Sequence, residues 1–236
     1  MPQPLPILLI PGLLGSARLY ETQIPELWRF GPVTIADPTR DDSMTAIARR
    51  ILVDAPPRFA LAGLSMGGYV AFEILRQAPA RVARLALLDT TARPDTPEQS
   101  AARSEQVALA AAGRLDEVVD TQFPRLVHPE HRGDARLRGT VRQMAQEVGA
   151  EGFARQQKAN ADRADSRPGL EAIRVPTLVL VGEGDQLTPP DRAGEMAQAI
   201  RGARLVTVPG SGHLSTLERP REVTHSLVEW LRDSAA

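Results

Sequence analysis

The 236-residue chain contains no cysteine, which excludes disulfides, thiol nucleophiles and thiolate metal sites. Neither sign of charge is in excess: 28 basic residues against 29 acidic ones leave a net charge of −1. Nothing therefore draws the chain electrostatically to nucleic acid or to an anionic membrane. No apolar run reaches the length needed to cross a bilayer. The first residues, Met1-Pro2-Gln3-Pro4-Leu5-Pro6, offer neither the positive segment nor the apolar stretch of a secretory signal. These absences point to a soluble, cytoplasmic protein whose partner is a small molecule rather than nucleic acid or membrane. The length suits one large domain, or one domain carrying an insertion.

What the chain does have is a set of short apolar runs, each ending in a turn. Ile7–Ile10 is uninterrupted, as expected of a strand buried on both faces of a parallel sheet. Val33–Ala36 is weaker and is stopped by Asp37-Pro38. Phe59–Leu64, Leu85–Leu88, Thr177–Val181 and Leu205–Val208 complete the series. Helix-period segments separate them; one begins at Ser43, a suitable N-cap, and carries Met44, Ile47, Ala48, Ile51 and Leu52 at helical spacing. Alternating strands and helices predict βαβ units and a parallel sheet of about six strands with helices on both faces.

The alternation stops between Arg93 and Pro168. This segment is rich in Ala, Arg, Gln and Glu, and helices are expected near 97–112, 114–121, 134–148 and 150–165. We read residues 1–92 and 169–236 as the α/β core, and 93–168 as a helical cap over the carboxyl edge of the sheet. In an open parallel sheet that edge is where ligands collect.

Three loops at that edge carry chemistry. The strand Phe59–Leu64 runs into Gly63-Leu64-Ser65-Met66-Gly67 and directly on into a helix pattern. This is the nucleophile-elbow spacing, in which a sharp turn holds one hydroxyl outward. Serine is a weak nucleophile at neutral pH and needs a base within reach. Of the four histidines, His213 alone sits in a glycine-rich loop directly after a strand. His128 and His131 fall in the cap, where Pro129 stands between them and no clear third ligand completes a metal site; His225 sits among charged neighbours on the last helix and is expected to be exposed. An acid is needed to fix the imidazole tautomer. Asp185 and Asp89 both follow strands, and Asp185 is favoured because its glycine-flanked loop can turn toward the histidine loop. An oxyanion donor is expected from the Met66 N–H, at the start of a helix. A second should come from the loop after the first strand, with Leu13 the choice and Leu14 the runner-up.

Gly63-Leu64-Ser65-Met66-Gly67-Gly68, Gly184-Asp185 with Thr188-Pro189, and Gly212-His213 together resemble the α/β-hydrolase superfamily, over essentially the whole chain. The nearest branch looks like the small bacterial esterases and enol-lactonases. The resemblance implies Ser65 as nucleophile, Asp185 as acid, His213 as base, and Leu13 with Met66 as oxyanion donors. It calls for no cofactor. The activity implied is hydrolysis of a small or medium ester, lactone or thioester through an acyl-Ser65 intermediate. The same residues would also serve an acyltransferase or a carbon–carbon hydrolase, and the fold alone could serve a ligand-binding protein. Two departures stand out. The oxyanion loop reads Pro11-Gly12 where family members usually have His-Gly. The antiparallel hairpin that usually precedes the first strand is missing, which predicts a trimmed, largely parallel sheet with Val33–Ala36 at an edge. An uncovered edge invites strand pairing, and hence a homodimer.

Overall fold

The computed structural model describes residues 4–233. Its elements, in chain order, are β1 (Ile7–Ile10), α1 (Ile24–Leu27), β2 (Val33–Ile35), α2 (Met44–Asp54), β3 (Phe59–Leu64), α3 (Met66–Gln77) and β4 (Val82–Leu88). Then come α4 (Pro97–Ala111), α5 (Leu115–Leu126), α6 (Ala135–Ala161), β5 (Thr177–Gly182), α7 (Pro190–Ala199), β6 (Arg204–Val208), α8 (Ser215–Glu218) and α9 (Pro220–Arg232). The six strands form one sheet in the order β2-β1-β3-β4-β5-β6, and every pairing is parallel. β2 lies at one edge, where the sequence put it.

Alternation along the strands explains the layering. Leu8, Ile10, Leu61, Leu85, Leu87, Val179 and Val181 point to one face and pack with α2, α3 and α7. Ile7, Leu9, Ala60, Ala62, Ala86, Leu88, Leu178 and Leu180 point to the other and pack with α1 and α9. Both faces are dry, which is why the central strands read as unbroken apolar runs. Ser43 caps α2 as expected, its hydroxyl accepting from Ala46 N–H.

Strand order reverses between β1 and β3: the chain winds outward from β1 to β2, then returns to β3 and continues the other way. Such a switch point opens a crevice at the carboxyl ends of the two strands. Ile10 pairs with Gly63 at that end, so the loops beginning at Pro11 and Ser65 leave the sheet side by side.

Among the described residues, the segment between β4 and β5 contains helices and no strand. α5 runs past its expected end to Leu126, with Pro124 inside it. The two expected helices on either side of Gly149 are present; they are grouped here as α6, and the backbone of Gly149 between them is non-helical (φ 70°, ψ 168°). Val119, Phe123, Val141 and Met144 of these helices join the apolar cluster on the α9 face. Among the described residues no helix is long and apolar enough to cross a membrane.

Candidate active site

Ser65 stands between β3 and α3 with φ 55° and ψ −117°, a conformation costly for any residue with a side chain. Several contacts hold it there. Its N–H donates to Leu88 O at 2.9 Å, and its carbonyl accepts from the Thr90 hydroxyl at 2.7 Å. The turn closes so tightly that a Cβ on Gly63 would lie 2.2 Å from Gly67 O. The glycines of the motif are therefore a packing requirement, and Ser65 is the residue the turn presents.

Three side chains from three separate loops meet there. His213 Nε2 is 2.8 Å from Ser65 Oγ, and His213 Nδ1 is 2.8 Å from Asp185 Oδ2. The Asp185 carboxylate is fixed from its other sides: Oδ1 accepts from Leu187 N–H at 2.8 Å and Thr188 N–H at 3.0 Å, and Oδ2 from the Thr188 hydroxyl at 2.8 Å. Thr188 thus orients the Asp185 carboxylate. The sequence marked it only as part of the Gly-Asp…Thr-Pro stretch.

The electrostatics follow from burial and neighbours. Burial alone would push the His213 imidazolium down, but the charge and hydrogen bond of Asp185, with Glu218 farther away, hold its pKa above the ordinary histidine value. For Asp185, burial alone would push the pKa up; the facing imidazole and the donors from Thr188 hold it below the usual carboxylate range. Both groups are thereby biased toward the charged pair.

Asp89 is also buried at the same edge, with φ 44°, but it does not face His213 through a hydrogen bond. Its Oδ1 accepts from Gly182 N–H at 2.8 Å, and its Oδ2 meets the Ser215 hydroxyl. Burial first, and the Asp185 charge second, push its pKa up to about 8. Asp89 therefore ties the end of β4 to the end of β5 and to the start of α8, largely as the neutral acid.

The loop after β1 places Leu13 and Leu14 on the same cavity as Ser65. Leu14 N–H donates to Gln156 Oε1 on α6 at 3.0 Å. Among the described residues, Leu13 N–H and Met66 N–H make no hydrogen bond. Met66 follows Ser65 directly and opens a twelve-residue helix whose dipole favours negative charge. No sequence signal marked Gln156, which touches the loop from more than a hundred residues away. Glu218 was missed for the same reason. Its carboxylate accepts from Gly212 N–H (2.8 Å) and Leu214 N–H (3.3 Å) on either side of His213. It also accepts from His128 N–H at 2.7 Å and faces His131 Nδ1 at 2.8 Å. His131 is therefore a partner of Glu218, and His225 is exposed beside Glu229. Among the described residues no group of three or more His, Asp or Glu side chains is arranged to hold a metal.

The cavity that Ser65 and His213 line has a volume of about 280 Å³. It is lined by the loops after β1 and β3 and by residues of α4, α5 and α6, among them Val118, Val141, Met144 and Phe153.

Against known proteins, a family model described as "Alpha/beta hydrolase family" matches residues 7–225. A thermophilic esterase from Thermogutta terrifontis, solved with malate bound, is 32% identical with a TM-score of 0.87, over 97% of this chain and 89% of that one. The enol-lactonase from Burkholderia xenovorans is 26% identical with a TM-score of 0.87, over 97% of this chain and 92% of that one. A pimeloyl-[acyl-carrier protein] methyl ester esterase from Aromatoleum aromaticum is 28% identical over 196 residues, which are 78% of each chain. These relatives support hydrolase activity.

Proposed function

Because the chain belongs to the alpha/beta hydrolase family, we propose that it is a serine hydrolase that cleaves a carboxylic ester, lactone or thioester through an acyl-Ser65 intermediate. The observation that carries this reading is the continuous relay from Asp185 through His213 to Ser65, with both hydrogen bonds at 2.8 Å.

In the first half-reaction His213 Nε2 takes the Ser65 proton as Oγ attacks the substrate carbonyl. Negative charge develops on the carbonyl oxygen and is met by the N–H groups of Leu13 and Met66, which are preorganised and partly shielded from water. Asp185 stabilises the imidazolium and keeps its tautomer; it does not take the proton. Collapse of the tetrahedral species expels the alkoxide or thiolate, which receives the proton from His213. In the second half-reaction His213 takes a proton from water, the resulting hydroxide attacks the acyl carbonyl, and Ser65 Oγ leaves with the proton. The acid is released and the site is restored.

Segment 93–168 acts as the cap. Its helices roof the cavity, and its Gln156 holds Leu14 so that the oxyanion loop stays in place. A cavity of about 280 Å³ suits a small or medium acyl group, at the low end of ordinary ligand pockets.

The test is hydrolysis by the purified protein of p-nitrophenyl esters of graded chain length, of simple lactones and of acyl thioesters. Turnover of at least one class, lost in a folded Ser65→Ala protein, is expected. Turnover that survives in Ser65→Ala would refute the covalent route. Product analysis with a competing alcohol separates hydrolysis from acyl transfer, and a hydrolase yields the free acid even when alcohol is present.

A further inference from the structure

The side chain of Glu218, the last residue of α8, is fully buried, yet it does not line the cavity that holds Ser65. A carboxylate taken out of water is costly unless donors surround it. Glu218 has four, and they divide by origin. Oε1 accepts from Gly212 N–H and Leu214 N–H, on either side of His213. Oε2 accepts from His128 N–H at 2.7 Å and meets His131 Nδ1 at 2.8 Å, both in the link between α5 and α6. One oxygen thus holds the loop of the base, and the other holds the cap.

Further contacts close the same joint. His213 N–H donates at 2.9 Å to the carbonyl of Leu126, the last residue of α5. A Cβ on Gly212 would lie 2.5 Å from His128 N, and one on Gly184, beside Asp185, would lie 2.7 Å from His128 Cδ2. The stretch 126–131 is therefore packed on the loops of both the base and the acid. Among the described residues, His131 is the one side chain that bonds Glu218; its other partners are backbone N–H groups, which many residue types would supply.

An ionised carboxylate only accepts, so His131 Nδ1 carries the proton in this contact, and a donor to a charged oxygen makes a strong, directional bond. The neighbouring charges are engaged elsewhere. Glu130 pairs with Arg219 at 3.5 Å, His128 Nδ1 accepts from Glu130 N–H at 3.4 Å, and Arg132 Nε donates to Pro124 O at 3.1 Å. Asp185 faces His213 itself.

We propose that His131 is a positioning residue for the catalytic base, acting through Glu218: its N–H fixes the carboxylate, and the carboxylate fixes the backbone on either side of His213. This rests on the serine-hydrolase reading and adds to it a control on the base that originates in the cap. The contact acts in two ways. It steadies His213 Nε2 at 2.8 Å from Ser65 Oγ, and proton transfer tolerates little displacement. It also offsets the Glu218 charge, which favours the protonated form of His213.

The experiment measures kcat and KM for a p-nitrophenyl ester across pH in His131→Leu, which removes the donor, and in His131→Asn, whose amide nitrogen can stand where Nδ1 stands. In His131→Leu kcat should fall about tenfold while KM stays within about twofold, because His131 does not line the cavity. The acid limb of kcat/KM should move to higher pH, since Glu218 is left less compensated. His131→Asn should recover most of kcat and return the limb toward its wild-type position. In a Glu218→Gln background, His131→Leu should change neither kcat nor the limb further. Should His131→Leu not fold, His131→Gln replaces it, its longer side chain carrying the amide past the Nδ1 position. Wild-type kinetics in the donor-lacking variant, a loss of kcat with an unmoved limb, or the same loss added on top of Glu218→Gln would overturn the proposal. A wild-type protein that cleaves no ester and takes no covalent label on Ser65 would instead bring down the serine-hydrolase reading.

Discussion

Two buried aspartates stand at the carboxyl edge of the sheet, and replacing each by asparagine should give opposite results. Asp185 Oδ2 accepts the His213 Nδ1 hydrogen bond at 2.8 Å, while backbone donors from Leu187 and Thr188 hold Oδ1. In Asp185→Asn those backbone donors keep the amide oxygen, so the amide nitrogen must face His213. The imidazole then turns its lone pair to Nδ1 and its proton to Nε2, where it can no longer take the Ser65 proton. The same exchange in a serine protease triad lowers kcat about 10⁴-fold, or roughly 5 kcal/mol of barrier at about 1.4 kcal/mol per decade. A loss of that order is expected here. Asp89 has its pKa pushed up to about 8 by burial and is mostly neutral at pH 7. Asparagine reproduces its contacts, accepting from Gly182 N–H and donating to the Ser215 hydroxyl, and tolerates a positive φ well. Asp89→Asn should therefore retain activity within about tenfold of wild type. It should also gain stability. The folded state holds the Asp89 proton more tightly than the unfolded chain does, so the wild-type residue opposes folding increasingly as pH rises from about 4 toward about 8. The Tm advantage of Asp89→Asn should widen across that window and level off above it. The assays are kcat/KM on a p-nitrophenyl ester and thermal unfolding at pH 5, 7 and 8.5. Equal residual activity in the two variants, or a larger loss in Asp89→Asn, would refute the assignment of the acid.

The pH profile of kcat/KM should have an acid limb whose midpoint lies above the ordinary imidazole value, because the base must be neutral and Asp185 holds the proton on His213; a midpoint at or below about 6.5 would contradict this. Glu218→Gln removes one of the charges that raise His213 and weakens the anchor of Gly212 and Leu214. The acid limb should move to lower pH and kcat should fall more than KM rises, whereas an unmoved limb would mean that Glu218 acts only as structure. Gln156→Leu releases Leu14 N–H and should lower kcat about tenfold or more by loosening the oxyanion loop, measured on the same ester. Gly67→Ala would set a Cβ 2.1 Å from Ile10 O, an overlap that only backbone movement relieves. At about 3 kcal/mol for such overpacking, Tm should fall by roughly 10 °C; a wild-type Tm would show that the elbow is not tightly packed.

The sheet was legible because both its faces are buried, so Ile7–Ile10, Phe59–Leu64 and Leu178–Val181 had to be apolar without interruption. The elbow was legible for a steric reason, since only glycine fits at the positions that Gly63 and Gly67 occupy. His213 and Asp185 could be picked out because each sits in a loop that leaves a strand at the same edge. Less was visible in the cap. Gly149 breaks the helical path as its type suggests, but α5 runs through Pro124, a position that local propensity marks as an end and that packing overrides. Gln156 and Glu218 carry no local signature at all. Each acts on backbone N–H groups of a distant loop, and a hydrogen bond to a backbone leaves no pattern in the residues it holds. The hydrogen bond from Leu14 N–H to Gln156 on α6 likewise leaves no mark in the residues of that loop.

The role proposed for His213 is to make the Ser65 hydroxyl a nucleophile. Reaction of the intact protein with a fluorophosphonate, followed by mass spectrometry of the labelled peptide, reads that out. One adduct is expected, on Ser65, forming rapidly in the wild-type protein, at least a hundredfold more slowly in His213→Ala, and not at all in Ser65→Ala. A folded wild-type protein that takes up no label, or that carries it on another residue, would contradict the account.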